Sequence, residues 1–154
     1  MHPTVYLQLG SNLFNREKQL QMAREAITKR IGPLLAVSAI YQTPAWGMED
    51  QPDFLNQVIT VQTSLHPIAI LEEALKIEQD MGRERKEKWG PRLIDIDIIA
   101  IDDQVINLPQ LTVPHPWMHV RRFVLEPMHD IAPFWVHPIL GVTVQELLAA
   151  LPPP

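Results

Sequence analysis

The run LIDIDIIAI at positions 93–101 places two aspartates inside an otherwise apolar stretch. Its alternation is typical of a β-strand, in which residues two apart project from the same face. Asp95 and Asp97 therefore share one face. The isoleucines of the opposite face are Ile94, Ile96 and Ile98. Because Asp is a poor strand former, this run predicts a sheet with one face in the core and the other beside something that stabilises negative charge.

Strand and helix patterns alternate along the chain before this run. We predict strands at 5–9, 35–41, 54–64 and 93–101, and helices at 15–30 and 67–82. The order β-α-β-β-α-β is that of a ferredoxin-like sandwich, an α+β fold with a four-stranded antiparallel sheet and two helices on one face. C-terminal additions follow as a Pro-rich segment at 112–116 and helices within 120–129 and at 143–151.

Composition indicates a single domain and excludes several kinds of site and partner. A chain of 154 residues with 46% hydrophobic and 20% charged residues predicts one domain over 1–154. Absence of cysteine excludes disulfides, thiolate nucleophiles and Cys-based zinc sites. A net charge of -5 argues against nucleic acid as a partner. The N-terminal segment has neither a basic stretch nor a long apolar run, so we expect a cytoplasmic protein without a membrane partner. We also expect a monomer.

A basic run lies directly upstream of the two aspartates. Residues 83–92 (RERKEKWGPR) contain five basic and two acidic side chains. On charge alone such a run is most often a solvated loop. Its position beside Asp95 and Asp97 favours another interpretation, because Mg²⁺ prefers oxygen ligands and arginine binds phosphate oxygens. Magnesium and arginines around phosphates are what phosphoryl transfer requires.

The run WGPRLIDIDII at 89–99 closely resembles the signature of the hydroxymethyldihydropterin pyrophosphokinase family, in which W-G-P-R leads into D-[LI]-D. Further segments similar to that family follow in the expected order. They are LGSN at 9–12, YQTP at 41–44, DQPDFLN at 50–56, VPHP at 113–116, RRFVL at 121–125 and DIAP at 130–133. The resemblance spans about residues 7–138. It implies an enzyme of folate biosynthesis that moves pyrophosphate from ATP to the hydroxymethyl group of 6-hydroxymethyl-7,8-dihydropterin and releases AMP.

The resemblance also implies roles for individual residues. Asp95 and Asp97 would hold two Mg²⁺ ions between the ATP phosphates and the pterin hydroxymethyl oxygen, and Arg83 and Arg92 would act on the phosphates. The rest of the ATP site would be Glu78, Arg85, Trp89, Ile98, His115 and Arg121. The pterin site would be Thr43, Pro44, Trp46, Gly47, Phe54, Asn56 and Phe123. The two phenylalanine rings would enclose the heterocycle and the segments 46–52 and 83–92 would close over the site.

Other interpretations remain open on the residues alone. A non-catalytic ferredoxin-like module could bind a nucleotide or RNA through the basic run, and a magnesium-dependent hydrolase would break down nucleotide without pterin. Asp95 and Asp97 could also lie on a solvent-facing strand, with Phe54 and Phe123 in the core. Replacing either aspartate by alanine would abolish turnover in the enzyme but not anion binding by a module.

Overall fold

The computed structural model describes residues 2–12, 15–44, 53–82 and 94–153. Its strands are β1 (Thr4–Ser11), β2 (Leu34–Val37), β3 (Tyr41–Thr43), β4 (Phe54–Gln62), β5 (Asp95–Ile101), β6 (Ile106–Leu108) and β7 (Leu111–Val113). Its α-helices are α1 (Arg16–Arg30), α2 (Pro67–Gly82), α3 (Arg122–Ile131) and α4 (Val144–Ala150), and a 3-10 turn spans Met118–Val120. Among these helices none is both long enough and apolar enough to cross a bilayer.

The main sheet is antiparallel and has the strand order β2-β4-β1-β5, with β3 also paired to β4. It therefore has five strands in the described part of the chain where the sequence predicts four. The predicted strand at 35–41 is divided, because the Ser38 hydroxyl accepts from the Val58 amide at 3.0 Å and the Ala39 amide donates to Asp130 at 3.1 Å. These side-chain contacts interrupt the ladder between β2 and β3.

One face of the sheet is covered by α1 and α2, as the sequence predicts. Leu20 and Ile27 of α1 and Ile70 and Ile77 of α2 are fully buried in a single cluster with the apolar side chains of the strands. The strand members of the cluster are Val5, Leu7, Leu9, Leu55, Ile59, Val61, Ile96, Ile98, Ile101, Leu111 and Val113, and Ile94 directly before β5 also belongs to it. The predicted alternation is therefore confirmed, since Ile94 directly before β5 and Ile96 and Ile98 within it all lie on this face.

Among the residues that the structure describes, helices cover the opposite face at one end only. Helices α3 and α4 and the 3-10 turn pack there on Tyr6, Val58, Ile99 and Ala100. A bulge brings both Ile99 and Ala100 to this face, because Leu7 pairs with Ile98 while Tyr6 pairs with Ala100. The other end of the same face is left for a cavity.

The C-terminal additions contain a hairpin that the sequence does not predict. Strands β6 and β7 pair over residues 106–113, and only Leu111 and Val113 among their side chains are buried. Helix α4 begins with a capping box between Thr143 and Glu146, which satisfies two backbone amides at its start. The Pro-rich segment at 112–116 overlaps the end of β7.

Candidate functional site

A cavity of about 700 Å³ opens on the uncovered end of the second sheet face. It collects most of the predicted acceptor site and both aspartates. The predicted residues that line it are Thr43, Pro44, Phe54, Asn56, Asp95, Asp97 and Phe123. These positions come from β3, β4, β5 and α3, so the fold brings together segments that are far apart in the chain.

Strand register explains why these side chains meet. The central strand β1 pairs Gly10 with both Asn56 of β4 and Asp95 of β5, and it pairs Gln8 with Asp97. A Cβ at Gly10 would lie 3.4 Å from the Asn56 Oδ1 atom. Because glycine has no side chain, the space between the Asn56 amide and the two carboxylates stays open.

The amide of Asn56 is held in a fixed orientation. Asn56 is 5% exposed, and its Nδ2 atom donates to the Thr43 hydroxyl at 2.7 Å. A buried amide with one assigned donor presents a defined set of polar atoms to a ligand. This arrangement suits recognition of a flat heterocycle with polar edges.

The two aspartates have the chemistry of a magnesium site. Asp95 is partly buried and Asp97 is exposed on the same face of β5, and both line the cavity. In the part of the chain that the structure describes, no group of three or more His, Cys, Asp or Glu side chains is arranged to hold a metal. Two carboxylates fit Mg²⁺, since this ion keeps several waters and binds substrate oxygens instead of a complete protein cage.

His115 and Arg121 do not line the cavity, but the charges of Arg121 and Asp97 both act on His115. The His115 amide donates to the Ile99 carbonyl at 2.8 Å, which anchors it beside β5. Burial lowers the pKa of His115 below its ordinary value of 6.5, the charge of Arg121 lowers it further, and Asp97 opposes both. The Arg121 guanidinium carbon lies 5.6 Å from the centre of the Phe123 ring. The Nδ1 atom of His115 accepts from the Trp117 amide at 3.2 Å, so the orientation of its ring is fixed.

Two predicted nucleotide residues, Glu78 of α2 and Ile98 of β5, do not line the cavity. The Glu78 carboxylate accepts from the Ile96 amide at 2.7 Å, so it ties α2 to this edge strand. The side chain of Ile98 is 6% exposed and belongs to the cluster on the opposite face of the sheet. The predicted residues Trp46, Gly47, Arg83, Arg85, Trp89 and Arg92 fall outside the described residues.

The cavity has further walls that the sequence does not predict as site residues. They are Gln8, Gly10, Tyr41, Gln42, Arg122 and Glu126. The Tyr41 hydroxyl donates to Asp130 at 2.8 Å, and burial together with this hydrogen bond raises the pKa of Tyr41 to about 12. Gly10, Tyr41, Gln42 and Arg122 lie in the family-like segments of the sequence, and Gln8 stands out as a polar residue within the apolar run of β1.

Comparison with known proteins gives one consistent family. The family model for 7,8-dihydro-6-hydroxymethylpterin-pyrophosphokinase (HPPK) matches residues 6–133. The chain is 41% identical over 143 residues to the 2-amino-4-hydroxy-6-hydroxymethyldihydropteridine pyrophosphokinase of Aquifex aeolicus, covering 93% of this chain and 89% of that protein. It is 43% identical over 149 residues to the protein of the same name from Methylorubrum extorquens, covering 96% of this chain and 93% of that protein.

Solved structures give the same fold. The wild-type HPPK-DHPS of Plasmodium falciparum superposes with a TM-score of 0.78 at 18% identity. The match covers 97% of this chain but only 44% of that longer chain. At this identity the likeness shows the fold alone.

Proposed function

The chain belongs to the HPPK family, and on that premise we propose that it transfers pyrophosphate from ATP to 6-hydroxymethyl-7,8-dihydropterin. The products are AMP and the pterin diphosphate, in a step of folate biosynthesis. The observation that carries the proposal is the meeting of Asp95 and Asp97 with Phe54, Asn56 and Phe123 around one cavity. Carboxylates for a metal and a slot for an aromatic heterocycle are both needed at the site of such a transfer.

The acceptor half of the cavity suits a pterin. Phe54 and Phe123 supply aromatic walls from β4 and α3, and a flat ring between them gains from burial and from ring contacts. Asn56 offers amide donors and acceptors to the ring edge, and its orientation is fixed by Thr43. The hydroxymethyl group of a ring held in this way would point along β5 toward the aspartates. Trp46 and Gly47 are assigned to the same site by the family resemblance.

Asp95 and Asp97 would hold Mg²⁺, and we propose two ions. When bound, magnesium neutralises the charge of the phosphate oxygens and so makes the phosphorus accessible to an oxygen nucleophile. The role of the chain is to keep the two carboxylates on one rigid strand. Pairing of Asp95 and Asp97 with Gly10 and Gln8 of β1 provides that rigidity.

In the proposed reaction, the hydroxymethyl oxygen attacks the β-phosphorus of ATP. A bond forms between that oxygen and the β-phosphorus, the bond from the β-phosphorus to the α,β-bridging oxygen breaks, and the hydroxyl proton is released. AMP then leaves with the bridging oxygen. We propose that Arg121 and His115 bind the nucleotide, and the electrostatic influence of both Arg121 and Asp97 on His115 supports this assignment. The family resemblance adds Arg83, Arg85, Trp89 and Arg92 to the phosphate side.

Glu78 and Ile98, which the family resemblance assigns to the nucleotide site, have side chains that do not line the cavity. Glu78 holds the backbone of β5 through the Ile96 amide, so we propose that it acts by orienting the carboxylate strand. The side chain of Ile98 lies in the core, so any contact with nucleotide would have to involve its main chain. Both assignments rest on the resemblance more than on the cavity.

The finer description of the fold is also a proposal. The order β2-β4-β1-β5 with α1 and α2 on one face supports a ferredoxin-like arrangement. A single domain, a monomeric state and a cytoplasmic location remain predictions. Sedimentation or light scattering at several protein concentrations would test the monomer.

Product analysis tests the proposed function directly. The protein is incubated with ATP, Mg²⁺ and 6-hydroxymethyl-7,8-dihydropterin, and the nucleotides are separated. We expect AMP and pterin diphosphate in equal amounts, and no nucleotide breakdown without pterin. Formation of ADP would contradict attack at the β-phosphorus, and pterin-independent breakdown would identify a hydrolase.

A further inference from the structure

Gln8 is a buried polar residue on the same sheet face as the two aspartates. It is 5% exposed, lies opposite Asp97 in the β1–β5 register, and lines the cavity. A primary amide at this depth needs hydrogen-bond partners, because burying it without them is costly. Its partner therefore indicates what it does.

The side-chain amide of Gln8 donates to a backbone carbonyl of α3 that lacks its usual partner within the helix. Its Nε2 atom donates to the Phe123 carbonyl at 3.0 Å. In an α-helix that carbonyl would accept from the backbone N–H four residues later, which is position 127. Position 127 is proline, which lies inside α3 and has no N–H. Gln8 thus supplies from the sheet the donor that the helix itself lacks.

This hydrogen bond joins two walls of the cavity. Phe123 forms the helical wall, while Gln8 sits on the central strand beside Asp97. The side chain of Phe123 is only partly buried and has Arg121 over its ring, so the core does not hold it on every side. A fixed carbonyl at the start of α3 sets where the ring lies relative to the aspartates.

We propose that Gln8 is a positioning residue for the acceptor, which fixes Phe123 by replacing the missing N–H of Pro127. This inference rests on the proposed function, because it assumes that the Phe123 ring contacts the pterin. Gln8 then controls the affinity for the pterin and not the affinity for ATP. A purely structural glutamine would instead affect stability without separating the two substrates.

A double-mutant cycle tests the proposal. Gln8→Met keeps the length of the side chain but removes the donor, and we expect it to raise KM for the pterin about tenfold while KM for ATP stays within about twofold. Pro127→Ala restores a backbone N–H that can donate to the Phe123 carbonyl. In the Pro127→Ala background, the same Gln8→Met change should raise KM for the pterin no more than about threefold.

Gln57→Met is the matched control. Gln57 is a second buried glutamine of the sheet, 3% exposed, whose amide donates to the Ser38 carbonyl at 2.8 Å and not to α3. We expect this variant to unfold more easily, to keep its KM for the pterin, and to show no coupling with Pro127→Ala. The proposal is overturned if Gln8→Met leaves KM for the pterin unchanged, raises both KM values alike, or is not rescued by Pro127→Ala.

A measurement on the unaltered protein covers the case in which Gln8→Met does not fold. Isotope-labelled protein should show a through-hydrogen-bond coupling between the Gln8 Nε2 atom and the Phe123 carbonyl carbon, which weakens in Pro127→Ala. Absence of the coupling would overturn the inference. Because this measurement needs no substrate, an unmodified protein that shows the coupling but no pterin-dependent AMP formation would contradict the proposed function alone.

Discussion

The second face of the sheet has two ends that differ in composition although the same strands form both. At one end Tyr6, Val58, Ile99 and Ala100 pack beneath α3 and α4. At the other end the strands present polar or small residues to an open cavity, namely Gln8, Gly10, Asn56, Asp95 and Asp97. The change from apolar to polar happens within one or two residues along β1, β4 and β5.

Along each strand, one end therefore contributes mainly to the stability of the fold and the other end mainly to ligand binding and catalysis. The covered end gains free energy by removing apolar surface from water. The open end gathers carboxylates and a buried amide, which contribute little apolar burial but can bind a metal and a polar ring. Substitutions at the two ends should therefore affect different measurements.

The largest effect is expected at the open end. Asp97→Asn keeps the shape of the side chain but removes a metal ligand and its charge, so kcat/KM should fall by at least about 10³-fold. The free energy of unfolding should not decrease, because one of two neighbouring like charges is removed. Asp103→Asn, in the turn at the far end of β5, is the control and should keep full activity. If Asp97→Asn kept near-normal turnover, the proposal that the open end carries the catalytic groups would be contradicted.

A core substitution at the covered end should do the opposite. Met128 of α3 is fully buried against the sheet, and Met128→Ala should lower the free energy of unfolding by about 2–5 kcal/mol. At a temperature where the variant is folded, kcat/KM should stay close to that of the unaltered protein. Met22→Ala is the matched control, since Met22 is 37% exposed on α1 and should have little effect in chemical denaturation. Loss of turnover without loss of stability in Met128→Ala would contradict the separation.

A smaller effect is expected where the cavity wall is attached to the covered end. The Tyr41 hydroxyl donates to Asp130 at the end of α3, and Tyr41→Phe removes that bond while keeping the ring in the cavity. The free energy of unfolding should fall by about 1 kcal/mol, measured by denaturant titration. A much larger loss, or a lost ability to bind pterin with normal stability, would show that the phenol belongs to the chemistry instead.

The pH dependence of the same contact gives the smallest expected signal. Burial and the bond to Asp130 raise the pKa of Tyr41 from 10.0 to about 12. Because the folded-state pKa is raised, the stabilisation is fully present below about pH 10 and is lost as the pH rises toward 12. In a Tyr6→Phe variant, which leaves Tyr41 as the only tyrosine, ultraviolet absorbance should show no phenol ionisation near pH 10. Ionisation at pH 10 in the folded protein would contradict the contact.

The long elements could be predicted from the sequence because each contains several turns or alternations of one pattern. Strands β1, β4 and β5 and helices α1 and α2 lie close to their predicted ranges. The division near Ser38 and the hairpin of β6 and β7 were not predicted, since strands of three or four residues contain too few positions to show a period. The bulge at Ile99 depends on partners in β1 and leaves no local pattern.

For the site, too, the sequence predicts the residues that stand out locally but not those whose role depends on a distant partner. Asp95 and Asp97 stand out because charged residues interrupt an apolar strand, and the family resemblance adds Phe54, Asn56 and Phe123. Gln8 could not be assigned a role, because its partner lies 115 positions away in the sequence. Its function depends on a proline in another element, so only the folded arrangement reveals it.

Metal binding at the open end is the most direct test of this account. In protein with labelled aspartate carboxyl carbons, Mg²⁺ and a non-hydrolysable ATP analogue should shift the resonances of Asp95 and Asp97. Asp102 and Asp103, at the opposite end of the same strand, serve as internal controls and should not shift. Unchanged resonances of Asp95 and Asp97, or equal shifts of all four aspartates, would contradict the assignment of the open end as the catalytic end of the sheet.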